Sequence, residues 1–206
     1  MKLEKILIGT KNKAKLEELR FSLKELEYNG VEILDLNKFE IIEPEENGDS
    51  FYENALIKAT YYSKITNLPT ICDDGGIVIP YLGGFPGVKS KRWLGYDASD
   101  DELINFTLLK MKDAKDDERI AFLTVCVYFH DPINNISIFK EESIEGIIAN
   151  EPSKNRIKGY PYRSLFIVKE IGKYYDELTP EEHEKVNHRI KAVKKVIEEI
   201  KKYYDF

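Results

Sequence analysis

Two carboxylates stand side by side at Asp73 and Asp74, directly behind a short apolar run and directly ahead of Gly75 and Gly76. A second apolar run at 77–79, a turn rich in glycine and proline at 83–87 and the polar group Ser90, Lys91 and Arg92 follow. Acids at a strand end, mobile backbone beside them and cations a loop away are the parts of a metal–phosphate site. Mg²⁺ takes hard oxygen ligands and is commonly shared between one or two carboxylates and substrate phosphates. Glycine lets main-chain N–H groups approach an anion closely. Asp and Gly are also the ordinary residues of turns, so Asp-Asp-Gly-Gly reads as a plain turn as well.

The cations that would answer such acids lie elsewhere in the chain. Lys11, Lys13 and Lys15 surround the predicted start of a helix, with Thr10 and Asn12 as turn and capping residues. Lys58 stands one turn after Asn54 on a second helix, and His188 and Arg189 open the last one. Positive charge is unfavourable at a helix N-terminus unless an anion sits there, because the helix end is already positive. A solvated basic turn is the plainer account of the three lysines. Glu40, Glu43, Glu45, Glu46, Asp49 and Glu53 form an acidic stretch that reads as a solvated face or loop, of which Glu45 and Glu46 could hold a metal together with Asp73 and Asp74.

The elements that must position these groups follow from periodicity. Residues 5–9 form a short buried strand, and Leu16, Leu19, Leu23 and Leu26 recur at helical spacing. A strand is expected over 31–36, and a helix from Ser50 to about Asn67 with Ser50 and Glu53 as a capping box. A short strand at 70–72 leads into the acids. Ser99 caps a helix reaching about Lys112. Residues 120–130 and 135–145 read as an antiparallel pair, 146–157 as irregular, and 165–168 as an apolar run. Thr179-Pro180 opens a short helix, and Asn187 caps the last, whose inner face carries Ile190, Val193, Val196, Ile197 and Ile200. Helices and strands alternate first and paired strands come later, so the fold class is α/β with a mixed sheet.

At 206 residues, with 42% hydrophobic and 12% aromatic side chains, the chain supports one domain with a full core. A net charge of −6 argues against a general partner in nucleic acid or an anionic membrane. A small phosphorylated ligand remains compatible, because a metal bridges like charges. Cys72 and Cys126 lie in apolar runs and read as buried thiols of a reducing compartment. No ligand spacing for zinc is present, and neither a secretory leader nor a membrane span is expected; the expected location is the cytoplasm.

The fragments T-x-N-x-x-K (Thr10, Asn12, Lys15), E-N-A-x-x-K-A from Glu53, D-D-x-G from Asp73, L-G-G-x-P-G-x-x-S-x-R from Leu82 to Arg92, and H-R-x-K-A from His188 occur in that order over nearly the whole chain. Each is weak alone; the ordered set resembles the inosine/xanthosine triphosphate pyrophosphatase family. The resemblance implies one domain over 1–206, an elongated α/β fold with two lobes around a long cleft and a mixed central sheet, and a homodimer. It implies Mg²⁺-dependent hydrolysis of deaminated purine nucleoside triphosphates to the monophosphate and pyrophosphate. It implies Asp74 as proton acceptor and metal ligand, and Glu46 as the other metal-binding acid, with neighbouring Glu45 left open. Thr10, Asn12, Lys15 and Lys58 would contact the triphosphate, Lys15 and Lys58 also stabilising charge on the leaving group. His188 and Arg189 would meet base and phosphate. Ser90 and Arg92 belong to the same matched set. Asp73 either orients Asp74 or shares the metal.

The chain departs from the family where the base is read. D-D-S-G stands here with Gly75 in place of the serine, which keeps a main-chain N–H but loses a hydroxyl. A lysine five positions before the histidine of H-R is His183. The segment G-F-G-Y-D-P-I-F is here Gly159 to Phe166, with the acid replaced by Arg163. Tyr160 and Tyr162 remain to flank a purine by stacking. The expectation is a working enzyme with a shifted base preference. The alternative is a nucleotide-binding paralogue that has lost catalysis and acts as a sensor or partner subunit.

Overall fold

The computed structural model describes residues 1–205. Its seven strands form one sheet in the order β2-β1-β3-β4-β5-β6-β7. These are β1 Lys5–Ile8, β2 Glu32–Asp35, β3 Thr70–Val78, β4 Ile120–Asp131, β5 Ile136–Ile148, β6 Phe166–Val168 and β7 Lys173–Tyr174. Strand β1 runs parallel to both β2 and β3, whereas β5, β6 and β7 pair antiparallel, so the sheet is mixed as expected. The helices are α1 Lys13–Ser22, α2 Lys24–Tyr28, α3 Phe51–Thr66, α4 Asp100–Lys110, α5 Pro180–Val186 and α6 His188–Ile200.

The chain divides into two compact units. The first comprises Met1–Asp74, Val125–Glu142 and the C-terminal segment from His188. One of its cores joins Ile6 and Ile8 of β1, Leu19 of α1, Val125, Val127 and Phe129 of β4, and Val193, Val196 and Ile200 of α6. Side chains alternate across a strand, and Leu7, between Ile6 and Ile8, is also fully buried, so both faces of β1 are covered. The second unit comprises Gly75–Thr124 and Ser143–Asn187. Its core gathers Ile77, Leu103, Ile104, Leu123, Ile144, Leu165, Phe166 and Tyr175.

Three expectations need correction. Asp73 to Gly76 are neither a turn nor a strand end: they lie inside β3, which continues to Val78. Turn propensity loses here because both acids find cationic partners, and tertiary context outweighs local preference in strands. The helical leucine repeat is broken at Leu23 into α1 and α2. Strand β5 extends to Ile148, into the stretch expected to be irregular, because residues 146–148 pair with β6. Cys72 and Cys126 are buried free thiols, as expected.

Candidate active site

The capping box foreseen at the start of α3 is present: Ser50 accepts from the Glu53 N–H, and Glu53 accepts in return from Ser50. Its last turn ends at Asn67 in the left-handed region, φ 55°. This fixes Asn54 and Lys58, one turn apart, on the same helical face. Opposite them lies Asp74 of β3. Lys58 Nζ is 2.7 Å from Glu46 Oε2 and 3.5 Å from Asp74 Oδ1. Burial works against the ammonium charge of Lys58, but Asp74, Glu46 and Asp73 outweigh it and raise its pKa, so it is a cation throughout the physiological range. Burial raises the pKa of Asp74; Lys58 and Lys15 oppose this and Glu46 reinforces it. Glu45 and Glu46 are both exposed, and it is Glu46 that meets Lys58.

Asp73 faces different partners, as the alternation of a strand requires. Its Oδ2 is 3.2 Å from Lys15 Nζ and 3.1 Å from Arg189 Nε. Burial pushes its carboxyl up, but Lys15, Arg189 and Lys58 prevail and hold it well below the usual carboxylate range. Arg189 also pairs with Glu18 of α1. The other oxygen, Asp73 Oδ1, is buried and accepts no hydrogen bond. Arg189 and His188 are themselves buried at 3% and 4% exposure.

The loop between β1 and α1 is tightly seated. Gly9 allows it: a Cβ there would lie 2.3 Å from Cys72 Sγ and 2.8 Å from the Tyr62 ring. Thr10 Oγ1 accepts from the Asn12 N–H, and Asn12 Oδ1 caps α1 by accepting from the Ala14 and Lys15 N–H groups. Lys15 is thereby aimed at Asp73, while Lys11 donates to the Ile41 carbonyl at 2.9 Å.

The residues expected around the base lie in the second unit. Tyr162 is buried, and its hydroxyl donates to the Ser90 carbonyl at 2.5 Å. Ser90 in turn donates to the Gly87 carbonyl, and Arg92 is an exposed partner of Asp97. Gly75 sits within β3. Arg163 is only 5% exposed, with Cζ 3.5 Å from the centroid of the Tyr160 ring and 4.8 Å from that of Tyr175. Its guanidinium therefore covers a ring face of Tyr160 that stacking on a purine would use. His183 packs edge-on against Tyr175 at 5.1 Å, close to Asn187. Burial pushes the Asp176 carboxyl up to about 6, against the Ile157 N–H and the Arg163 charge.

Three contributors, Glu18, Tyr175 and Asp176, were not singled out from the sequence, and Asn54 was named there without a role. Glu18 stands one turn after Lys15, and Asn54 one turn before Lys58, so helical spacing was the available signal. Nothing local marks Tyr175 or Asp176.

Whether the acids suit a divalent metal is decided by their donors. Glu46 and Asp74 present hard oxygens that already converge on one cation, with side chains 37% and 12% exposed. No group of three or more potential ligand side chains occurs among the described residues. Two carboxylates suit a divalent cation that completes its shell with water and phosphate, rather than a metal needing an all-protein cage.

A model of the Ham1 family matches residues 6–199. The dITP/XTP pyrophosphatase of Escherichia coli (strain K12) is 34% identical over 200 residues, covering 97% of this chain and 99% of the relative. That of Wigglesworthia glossinidia brevipalpis is 39% identical over 200 residues, covering 97% and 98%. A solved HAM1 protein from Coxiella burnetii superposes with a TM-score of 0.85 at 30% identity, covering 97% and 99%. The nucleoside-triphosphatase / dITP/XTP pyrophosphatase from Mycobacterium abscessus gives 0.76 at 32% identity, covering 94% and 98%. With the match running through both units and nearly end to end in either comparison, the chain belongs to the Ham1 family.

Proposed function

We propose that this protein is a nucleoside triphosphate pyrophosphatase that converts deaminated purine nucleoside triphosphates to the monophosphate and pyrophosphate. The observation that carries this reading is the convergence of Glu46 and Asp74 on Lys58, with Lys15 held by the neighbouring Asp73. The names of its relatives, dITP/XTP pyrophosphatases, support the substrate class.

Cleavage of a phosphoanhydride needs an oriented water, a proton acceptor and neutralisation of charge on the phosphoryl oxygens and the leaving group. Asp74 is the proton acceptor: burial raises its basicity, while Lys58 and Lys15 keep the carboxylate form accessible. Glu46 and Asp74 would hold Mg²⁺. Bound there, the ion would supply charge neutralisation and polarise a water. Lys58 and Lys15 place fixed positive charge where pyrophosphate develops negative charge. Thr10 and Asn12 shape the loop that presents Lys15. Asp73 would restrain Lys15 and Arg189, and its full burial favours a positioning role over a share in the metal.

Arg163, Tyr160 and His183 would set the base preference, with Tyr162, Ser90, Gly75, Arg92, His188 and Arg189 as further substrate contacts or their supports. Homodimeric assembly and a cytoplasmic location belong to the same proposal. No helix among the described residues is long and apolar enough to cross a membrane.

The deciding experiment is pyrophosphate release from inosine, xanthosine, guanosine and adenosine triphosphates with Mg²⁺. Release from the first two in preference to adenosine triphosphate is expected. Tight nucleotide binding without release would favour a sensor or partner subunit instead.

A further inference from the structure

Asn54 takes no part in the chemistry above, yet it touches Asp74 and the loop that carries Glu46. It is 3% exposed. Its side-chain oxygen accepts from the Gly48 N–H at 2.9 Å, and its amide nitrogen donates to Asp74 Oδ2 at 3.1 Å. The orientation of the amide is forced, because a main-chain N–H only donates and a carboxylate only accepts. Lys58, one turn further along α3, reaches the other Asp74 oxygen. Each oxygen of Asp74 thus has its own donor from one helix.

The other end of the amide governs the loop that carries Glu46, two residues before Gly48. There is no room for a side chain at Gly48: a Cβ would lie 2.8 Å from Asn54 Oδ1 and 2.6 Å from Glu53 Cβ. Glu53 fastens the same loop, its Oε2 accepting from the Asp49 N–H at 2.6 Å and the Ser50 N–H at 3.2 Å.

We propose that Asn54 is a positioning residue that fixes Glu46 and Asp74 relative to one another as a pair of divalent-cation ligands. It holds Asp74 directly and the Glu46 loop through the main chain of Gly48. The inference rests on reading those two acids as the metal pair. No other side chain of similar size does the same work. Aspartate accepts from Gly48 but cannot donate to Asp74, and it sets two carboxylates against each other.

The test uses the full chain without nucleotide and Mn²⁺ as the probe, with free Mn²⁺ followed by electron paramagnetic resonance. Hydrogen exchange across residues 45–50 is measured in the metal-free protein. Asn54→Ala should weaken Mn²⁺ binding about tenfold or more, the usual worth of a hydrogen bond to a charged group, and should speed exchange at Gly48. Gly48→Ala, which leaves every functional side chain in place, should do the same by lifting the loop. The double variant should be no worse than the weaker-binding single one, because both break one tether. Asn54→Asp should weaken Mn²⁺ binding while keeping Gly48 protected. Parent-like affinity and exchange in a folded Asn54→Ala, or in Gly48→Ala, overturns the proposal. If Mn²⁺ binding survives both Glu46→Gln and Asp74→Asn, the metal-pair reading falls and takes this inference with it. If those variants abolish binding and Asn54→Ala does not weaken it, only the inference falls.

Discussion

Asp73 and Asp74 are adjacent in β3 and serve opposite sides of it. Asp73 meets Lys15 of α1 and Arg189 of α6, and Asp74 meets Lys58 and Asn54 of α3. One pair of neighbouring acids therefore divides into a buried anchor, held ionised by its cations, and a carboxylate whose basicity is raised. The difference arises from the strand alternation, since the two residues are chemically identical.

Asp74→Asn should lower turnover at least about a hundredfold, the common worth of a positioned base. The amide neither takes a proton nor ligates as a full charge. Pyrophosphate release at saturating Mg²⁺ measures it, and a variant retaining most of its activity would remove Asp74 from the role of base.

Glu46→Gln should raise the Mg²⁺ concentration needed for half-maximal rate, and Glu45→Gln should not. Both glutamates are exposed, and it is Glu46 that Lys58 reaches. The reverse pattern would shift the metal-binding acid by one position.

Lys15→Ala and Lys58→Ala should weaken every triphosphate by similar factors, because an ammonium reads phosphate charge and not the base. Kinetics over the four purine triphosphates tests this. An effect confined to one base would relocate the lysine concerned.

Asp73→Asn should destabilise the fold by about 3–5 kcal/mol, as removal of one partner from a buried ion pair does. Because the folded-state pKa of Asp73 is depressed, its contribution is present above the unfolded pKa and is lost as pH falls through the folded one. Denaturant titrations of parent and variant should therefore differ at neutral pH and converge in strong acid.

Asp176 carries the opposite sign. Its pKa rises from 3.8 to about 6 on folding, so the folded state binds its proton more tightly. Stability should fall as pH rises between those values and level off above them. Asp176→Asn should remove that slope and gain about 3 kcal/mol at pH 7. An unchanged slope would assign it to other groups.

Much of the protein was legible in the residue order. The capped helix from Ser50, the lysine one turn past Asn54, the buried strand before Thr10 and the antiparallel run of the second half are local patterns, set by periodicity and capping, and the family follows from motifs that survive in order. What the sequence could not state was direction. Asp-Asp-Gly-Gly has the composition of a turn, and only its place in the middle of a paired sheet, with cations waiting on both faces, keeps it extended and sends its two acids apart. The pairing of Arg189 with Glu18 and Asp73 joins opposite ends of the chain, and no local pattern encodes a contact of that span. Arg163 was expected at the base edge; its place against the rings of Tyr160 and Tyr175 depends on a turn and a strand end that only the packed second unit brings together. A residue's spacing sets the face of its own helix or strand. What that face meets is decided when the elements pack and each buried charge must find its counterpart.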